Sequence, residues 1–535
     1  MKRLLFALAT GTALWVAACS SGGSSTPPPP PAGNFGPANL NGTYAFMTSG
    51  EVFTNGNVSA FPMQRVGSFV ANGSGGITGG VEDVNTSGTP SGASAITGGS
   101  YTVNADGRGT LTLQFGQNTL NFGIVLTSSS TGNGLMIDET NTSNQASTGS
   151  GNFLKQDTTL CSSPNTSVVG TYVFDFSGLD SSQAPESFVG EFTSNNAGAV
   201  TTSFGDINDG FNGLSNGTFA AQFGVDGLNP AGPNSCGRGQ AQIAGETYAY
   251  YVVDSNRVRF INAAGGEMLS GDAVLQDNTI PTNVASINSG FAFLVGGSTG
   301  QVGLTRVGRL SISNSTVSNV LLDTNNGGTQ FTPTNGATNP SITLDSANPG
   351  RGTITFVGNG QNPNVPFSFV FYLSSANQGV IQEITTNINT GAIVAVADGS
   401  IDAQSGSPFT SSNVSGTYAM NWSGLVTLGG SFTDEEDLVA QAKISNLSLS
   451  GTSDIFQFTS LTLTPQPNIA TSGSITFNGG DGTGGDGKRS TLTVKLSGAN
   501  QINFVTYFVT PNLAFFANQD NNSGRVVAGV LETQQ

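Results

Sequence analysis

Along most of the chain apolar residues alternate with polar ones in short runs, as in Ser100-Tyr101-Thr102-Val103 and Thr110-Leu111-Thr112-Leu113-Gln114-Phe115. Successive side chains of an extended strand point to opposite faces, so this period-two pattern predicts strands with one buried face. Glycine, Asn and Asp punctuate the gaps, and these residues accept the backbone angles of tight turns. No segment sustains the i, i+3, i+4, i+7 spacing of an amphipathic helix. The pattern predicts an all-β, mostly antiparallel protein.

The strand pattern itself recurs. Leu40-Asn41-Gly42-Thr43-Tyr44-Ala45-Phe46 opens a segment that reappears as Val168-Val169-Gly170-Thr171-Tyr172-Val173-Phe174, Ile287-Asn288-Ser289-Gly290-Phe291-Ala292-Phe293 and Val414-Ser415-Gly416-Thr417-Tyr418-Ala419-Met420. The spacings, roughly 128, 120 and 126 residues, make the repeat domain-sized. Within the copies Arg65-Val66-Gly67, Phe188-Val189-Gly190 and Arg306-Val307-Gly308 correspond. An Asp-x-Asn element follows as Asp83 and Asn85, Asp206 and Asn208, and Asp323 and Asn325; the fourth copy lacks it. A glycine turn carries Arg108, Arg238 and Arg351. Four modules are therefore expected at 40–157, 168–277, 286–404 and 413–535, with connectors rich in Pro, Ser, Thr and Asn. About 115 residues with a turn every ~10 to 14 supply eight to ten strands, which must close on themselves or pack as two sheets to protect their edges. A small up-and-down barrel per module is the preferred reading, with a sandwich as the alternative.

The N-terminus departs from this pattern. Met1-Lys2-Arg3 precedes an apolar run over residues 4–18, then Cys19 and Ser20-Ser21-Gly22-Gly23, the layout of a signal peptide. Val16-Ala17-Ala18-Cys19 resembles the lipobox of bacterial lipoproteins. That resemblance implies that residues 1–18 are removed, that Cys19 carries the lipid, and that the acyl chains hold the protein on a bilayer. Ser20 after the cysteine resembles the outer-membrane sorting pattern of diderm bacteria. Residues 19–39, with five consecutive prolines at 27–31, read as an extended tether. No later stretch reaches the ~18 apolar residues of a spanning helix.

Composition narrows the chemistry. The chain has no His, which removes His-based triads, His metal ligands and imidazole proton shuttles. Removing Lys2 and Arg3 from 16 basic residues leaves 14 against 33 acidic ones, a net charge of −19 that argues against nucleic acid and anionic lipid surfaces as partners. With Cys19 assigned to lipid, Cys161 and Cys236 remain, and one disulfide is the economical assignment for a secreted chain.

Candidate chemical motifs yield to structural readings. Gly482-Thr483-Gly484-Gly485-Asp486-Gly487-Lys488-Arg489 is close to a phosphate loop, but Arg489 stands where Ser or Thr would hold magnesium, and strand patterns flank it on both sides; a hairpin loop is expected. Gly296-Gly297-Ser298-Thr299-Gly300 matches a nucleophile elbow as a string only, since no His base exists. The Asp-x-Asn pairs offer too few oxygens for calcium, which takes six to eight, so turn-forming Asx side chains are preferred and no metal is assigned. Each glycine-flanked arginine is expected to pair with the aspartate of its own copy. Sugar recognition usually needs exposed aromatic platforms, and the mature chain has a single Trp, Trp422.

The ordered motifs as a whole resemble a group of repeat-bearing lipoproteins and secreted proteins of acidobacterial type. The resemblance covers nearly the whole mature chain and implies an envelope location. The sequence thus points to a non-enzymatic, lipid-anchored envelope protein with a surface binding, adhesion or structural role, no cofactor, and an unidentified protein or envelope partner. The alternatives are a barrel-type carrier of apolar ligands and a carboxylate-based hydrolase.

Overall fold

The computed structural model describes residues 35–53, 60–142, 146–210, 212–224, 236–300, 302–333, 336–358, 366–426, 434–459, 462–477, 488–520 and 524–535. They form four successive antiparallel β-barrels joined by short connectors. In the first, strands Asn41–Phe53, Ala60–Asn72, Gly76–Thr86, Gly98–Val103, Arg108–Phe115, Asn118–Leu126, Gly134–Asp138 and Ser150–Lys155 follow one another as neighbours, and the last pairs back onto the first. The fourth closes in the same way between Gly416–Val426 and Arg525–Thr533. The second and third are nine-stranded curled sheets whose end strands approach without a full ladder. Their seams are tied by a bridge between Ala199 and Gln222 and by the Ala337 N–H donated to the Val320 carbonyl at 3.0 Å. Apart from the seams and the short strands Thr89–Ile96 and Ala146–Ser147, strands consecutive in sequence are neighbours, which is the up-and-down barrel rather than the sandwich.

The repeated sequence landmarks are packing devices. In the first three copies the Phe two residues after the opening aromatic lies directly across from the glycine of the Val-Gly motif: Phe46 and Gly67, Phe174 and Gly190, Phe293 and Gly308. A Cβ on Gly67 would stand 2.6 Å from the Phe46 ring, and one on Gly308 would stand 2.5 Å from the Phe293 ring, so the ring occupies the space that the glycine leaves. The fourth copy changes both members together, to Met420 and Ala440. Opening tyrosines close hairpin turns, with the Tyr44, Tyr172 and Tyr418 hydroxyls donating to the carbonyls of Thr131, Ser255 and Pro511.

Each barrel has its own apolar interior, filled by side chains such as Phe46, Phe69 and Phe122 in the first and Phe174, Phe176, Tyr248 and Phe260 in the second. A further cluster draws on all four barrels, with Val66, Tyr251, Val307 and Tyr507 among its members. It exists because the outward-facing alternate positions of certain strands are also apolar. The first two or three strands of each barrel pack on later strands of the next, and the first strands of barrel 4 pack on Asn118–Leu126 and Gly134–Asp138 of barrel 1. This head-to-tail contact closes after four units.

Residues 1–34, which hold the signal and the lipobox, and the glycine-rich run at 478–487 lie outside the described residues. Phe35 to Asn39, assigned to the tether by composition, pack on barrel 1. Phe35 joins its interior, and Asn39 Nδ2 donates to the Ser129 carbonyl at 2.7 Å.

Candidate functional site

The polar repeat builds the joints between barrels. Asp83 of barrel 1 accepts a two-pronged bond from Arg238 of barrel 2, Nε at 2.8 Å and Nη2 at 2.7 Å, and a third from the Tyr251 hydroxyl at 2.5 Å. Asp206 of barrel 2 meets Arg351 and Tyr372 of barrel 3 in the same way. Asp323 of barrel 3 meets Arg489 and Tyr507 of barrel 4. Each arginine and its tyrosine are cross-strand neighbours on the receiving barrel, so one pleat presents both donors to one carboxylate. Burial alone would lower the Arg238 pKa, but the hydrogen bond and charge of Asp83 outweigh it, and the guanidinium is held charged. Tyr251 is pushed well up by burial and by the Asp83 charge, which keeps it a donor.

This corrects the pairing expected from sequence, in which each arginine met the aspartate of its own copy. On one barrel the aspartate faces the following copy, whereas the arginine faces the preceding one. The asparagines extend the joint rather than folding back on their own turns. Asn85 Nδ2 donates to the carbonyls of Asn262 and Glu267, Asn208 to those of Glu383 and Ala395, and Asn325 to those of Asn518 and Arg525. Asn325 also accepts from its own turn, at the Gly328 N–H.

The fourth joint returns to the first barrel. Arg108 donates to Asp454 at 3.1 Å and to Asn468 at 3.1 Å, and is also held by Asp106 at 3.0 Å. Asp454 lies across from Val439, as Asp83, Asp206 and Asp323 lie across from Val66, Val189 and Val307, so the fourth copy keeps the aspartate and has Phe456 for the asparagine. Val125 stands where the other joints have tyrosine. A cavity of about 70 Å³ lies beside it, lined by Arg108, Glu139, Asp454 and Asn468. Burial pushes Glu139 up to about 8, with Asp454 and Asp138 adding to the shift.

A glutamine at the end of each copy clamps the glycine turn of the next. Gln156 donates to the carbonyls of Cys236 and Val252, Gln276 to those of Pro349 and Leu373, Gln404 to that of Phe508, and Gln534 to those of Asp106 and Leu126. The Gln535 N–H and carbonyl add bonds to Thr127 and Ser129. Asp454, Arg489, the three tyrosines and the four glutamines were missed by sequence reasoning. Their signal was positional: each glutamine sits at the end of the closing strand, and Arg489 sits two residues before a Thr in a glycine turn, as Arg108 and Arg351 do.

The remaining candidates fall as follows. Cys161 and Cys236 form a disulfide, with Cα atoms 4.4 Å apart. Ser298 is buried at the end of strand Ser289–Ser298, and a turn and another strand follow, not a helix. Trp422 is wholly buried inside barrel 4. Strands Thr462–Phe477 and Arg489–Leu496 flank the glycine-rich run and pair antiparallel, the context of a hairpin. Among the described residues close carboxyl pairs include Asp175 with Asp398 between barrels 2 and 3, Glu435 with Asp437 at the barrel 4 to barrel 1 joint, and Asp180 with Asp209 on barrel 2. Asp398, Glu435 and Asp437 are buried, and Asp175 and Asp209 are half-buried.

No protein-family model matches the chain, and no curated protein matches it. Among solved structures it is similar to a putative AttH from Nitrosomonas europaea, at 9% identity over 44% of this chain and 93% of that one, with a TM-score of 0.19. It is also similar to a mutant of the vaccine antigen Transferrin Binding Protein B from Haemophilus parasuis Hp5, at 10% identity over 79% and 85%, with a TM-score of 0.17. Intact Ap-TbpB, with its N and C lobes, aligns at 12% identity over 75% and 83%, with a TM-score of 0.18.

Proposed function

We propose that this chain is a lipid-anchored envelope protein that presents a rigid block of four barrels for a non-catalytic surface binding, adhesion or structural role. The observation that carries the reading is the use of the repeated Asp, Asn and Arg side chains. They are consumed in joining the copies, so what four rounds of the repeat deliver is one stiff body. The lipobox at Cys19 and the proline tether supply the means of holding such a body away from a bilayer. The filled barrel interiors weigh against the carrier alternative, because the rings of Phe and Tyr occupy the volume a ligand would need. The hydrolase alternative needs two carboxyls across an open cleft, whereas the Asp175–Asp398 and Glu435–Asp437 pairs lie between barrels.

Expression of wild type and Cys19→Ser with membrane fractionation tests the reading. The wild type should sediment with membranes through a carbonate wash, and the variant should remain an uncleaved precursor or be released as soluble protein. A variant that stays membrane-bound would overturn the anchor.

A further inference from the structure

Barrels 2 and 4 treat one buried acid in opposite ways. In barrel 4, Glu436 is fully buried and receives three donors: Trp422 Nε1 at 3.2 Å, Gln457 Nε2 at 2.5 Å, and the Arg525 guanidinium at 3.1 and 3.2 Å. Its counterpart in barrel 2 is Glu186. The correspondence follows from the register, since Gly178 and Gly424 each lie six residues after the opening tyrosine. Both adopt a left-handed φ, +155° and +152°, and they sit across from Glu186 and Glu436. The same register places Phe176 where Trp422 stands, Asp209 where Gln457 stands, and Glu267 where Arg525 stands. All three donors are gone, and two have become carboxyls. In barrels 1 and 3 the position is apolar, Met63 and Leu304, so the acid itself is dispensable to the fold.

Glu186 is 8% exposed, and its side chain makes no hydrogen bond among the described residues. It is pushed up to about 8 by burial first, then by the charges of Glu267, Asp209, Asp180 and Glu246. The same burial and acids raise Glu267 to about 7. The Tyr248 hydroxyl faces this group too, held up by burial, Glu267, Glu186 and Glu246. Four carboxyls therefore converge on a buried acid whose side chain lacks a partner among the described residues, and Asp209, Glu246 and Glu267 remain partly open to solvent.

We propose that this mouth of barrel 2 binds a guanidinium group supplied from outside the chain, seated on Glu186 as Arg525 is seated on Glu436. A planar cation with paired N–H donors matches a carboxylate in the two-pronged geometry already present in barrel 4, which an ammonium cannot reproduce. The ligand is a free guanidino compound or an arginine side chain of a polypeptide. The inference rests on the binding reading given above, but not on the anchor.

The test is calorimetric titration of the full mature chain at pH 7 with methylguanidinium, methylammonium and the tripeptide Gly-Arg-Gly, in buffers of different ionisation enthalpy. Methylguanidinium should bind at least about tenfold tighter than methylammonium. Protons should be released on binding, because a cation on Glu186 favours its ionised form. Glu186→Gln should weaken binding by about tenfold or more, and Glu267→Arg should abolish it while melting at a higher temperature than wild type, since it fills the site from within. A tripeptide at least about tenfold tighter than methylguanidinium identifies the polypeptide source, and equal affinity identifies the free compound. No binding at millimolar concentration, equal binding of methylammonium, or unchanged binding in Glu267→Arg would overturn the proposal. Membrane fractionation of the Cys19→Ser variant is unaffected by any of these outcomes.

Discussion

The three joints between consecutive barrels and the one that returns from barrel 4 to barrel 1 solve the same problem with different freedom. Consecutive barrels are linked by a short connector, so their surfaces meet at high effective concentration. There the joint shares one set, an aspartate, an arginine, a tyrosine and a glutamine clamp, to which the joint of barrels 2 and 3 adds Asp345 at 3.5 Å from Arg351. The returning joint spans 346 residues of sequence and has no connector of its own. It keeps the arginine, the aspartate and the glutamine, replaces the tyrosine by Val125, and adds Asp106, Asn468 and backbone bonds from Gln535. It also carries the Glu435–Asp437 pair, against which Thr148 and the Gly149 N–H donate. The difference teaches that the head-to-tail surface is a property of the repeat, and that the last contact has been altered locally while still closing the ring.

The largest effect should come from unpairing a consecutive joint. Asp83→Asn leaves Arg238 buried without its counter-charge and should cost about 3–5 kcal/mol in chemical denaturation. The first joint has a covalent staple that the others lack, because the disulfide fixes the connector to the glycine turn that Gln156 clamps. Replacing Cys161 and Cys236 together by Ser should lower stability by up to about 4 kcal/mol for a loop of 75 residues, read as a drop in melting temperature.

A smaller change would turn a consecutive joint towards the returning kind. Tyr372→Phe removes a hydroxyl donated to the ionised Asp206 and should cost about 1.5–3 kcal/mol, with Arg351 still in place. The smallest effect per step concerns pH. Burial raises Glu435 well above its ordinary range, with the charges of Asp437 and Glu51 adding to it, and burial raises Asp437 to about 7 against the hydrogen bonds from Ser423, Gly149 and Glu435. A carboxyl raised in the folded state stabilises fully below its unfolded pKa near 4 and loses that contribution as pH rises through the folded value. Unfolding free energy should therefore fall between pH 5 and pH 8, by at most ~1.4 kcal/mol per pH unit per group, read as a drop in melting temperature. Asp437→Asn should flatten part of that slope, and an unchanged slope would remove this pair from the account.

Much of the architecture was legible in the sequence because alternation and turn residues are local signals. The four openings and the Phe–Gly landmarks reported one barrel each, and those contacts lie between adjacent strands. The joints were harder to read, although their residues were visible. Asp83 and Arg238 both stood out, yet spacing along the chain does not say which copy a side chain faces, and only the closed ring decides it. Asp454 was hidden because its asparagine had become Phe456, and Arg489 because it sat in a string that resembled a phosphate loop. The contrast between Glu186 and Glu436 depends on strand register, which brings together across a shared strand residues about eighty positions apart or more, such as Glu267 and Glu186, and Arg525 and Glu436.

The central claim is that the polar repeat joins each copy to the next and closes the fourth onto the first. A double-mutant cycle on Arg108 and Asp454 tests it most directly, using Arg108→Met, Asp454→Asn and the double variant in the full chain, with stability measured by denaturant titration. The closed ring predicts that the two substitutions are coupled by about 1–3 kcal/mol despite their separation in sequence. Additivity within about 0.5 kcal/mol would contradict it, because side chains on barrels that do not meet have nothing to share.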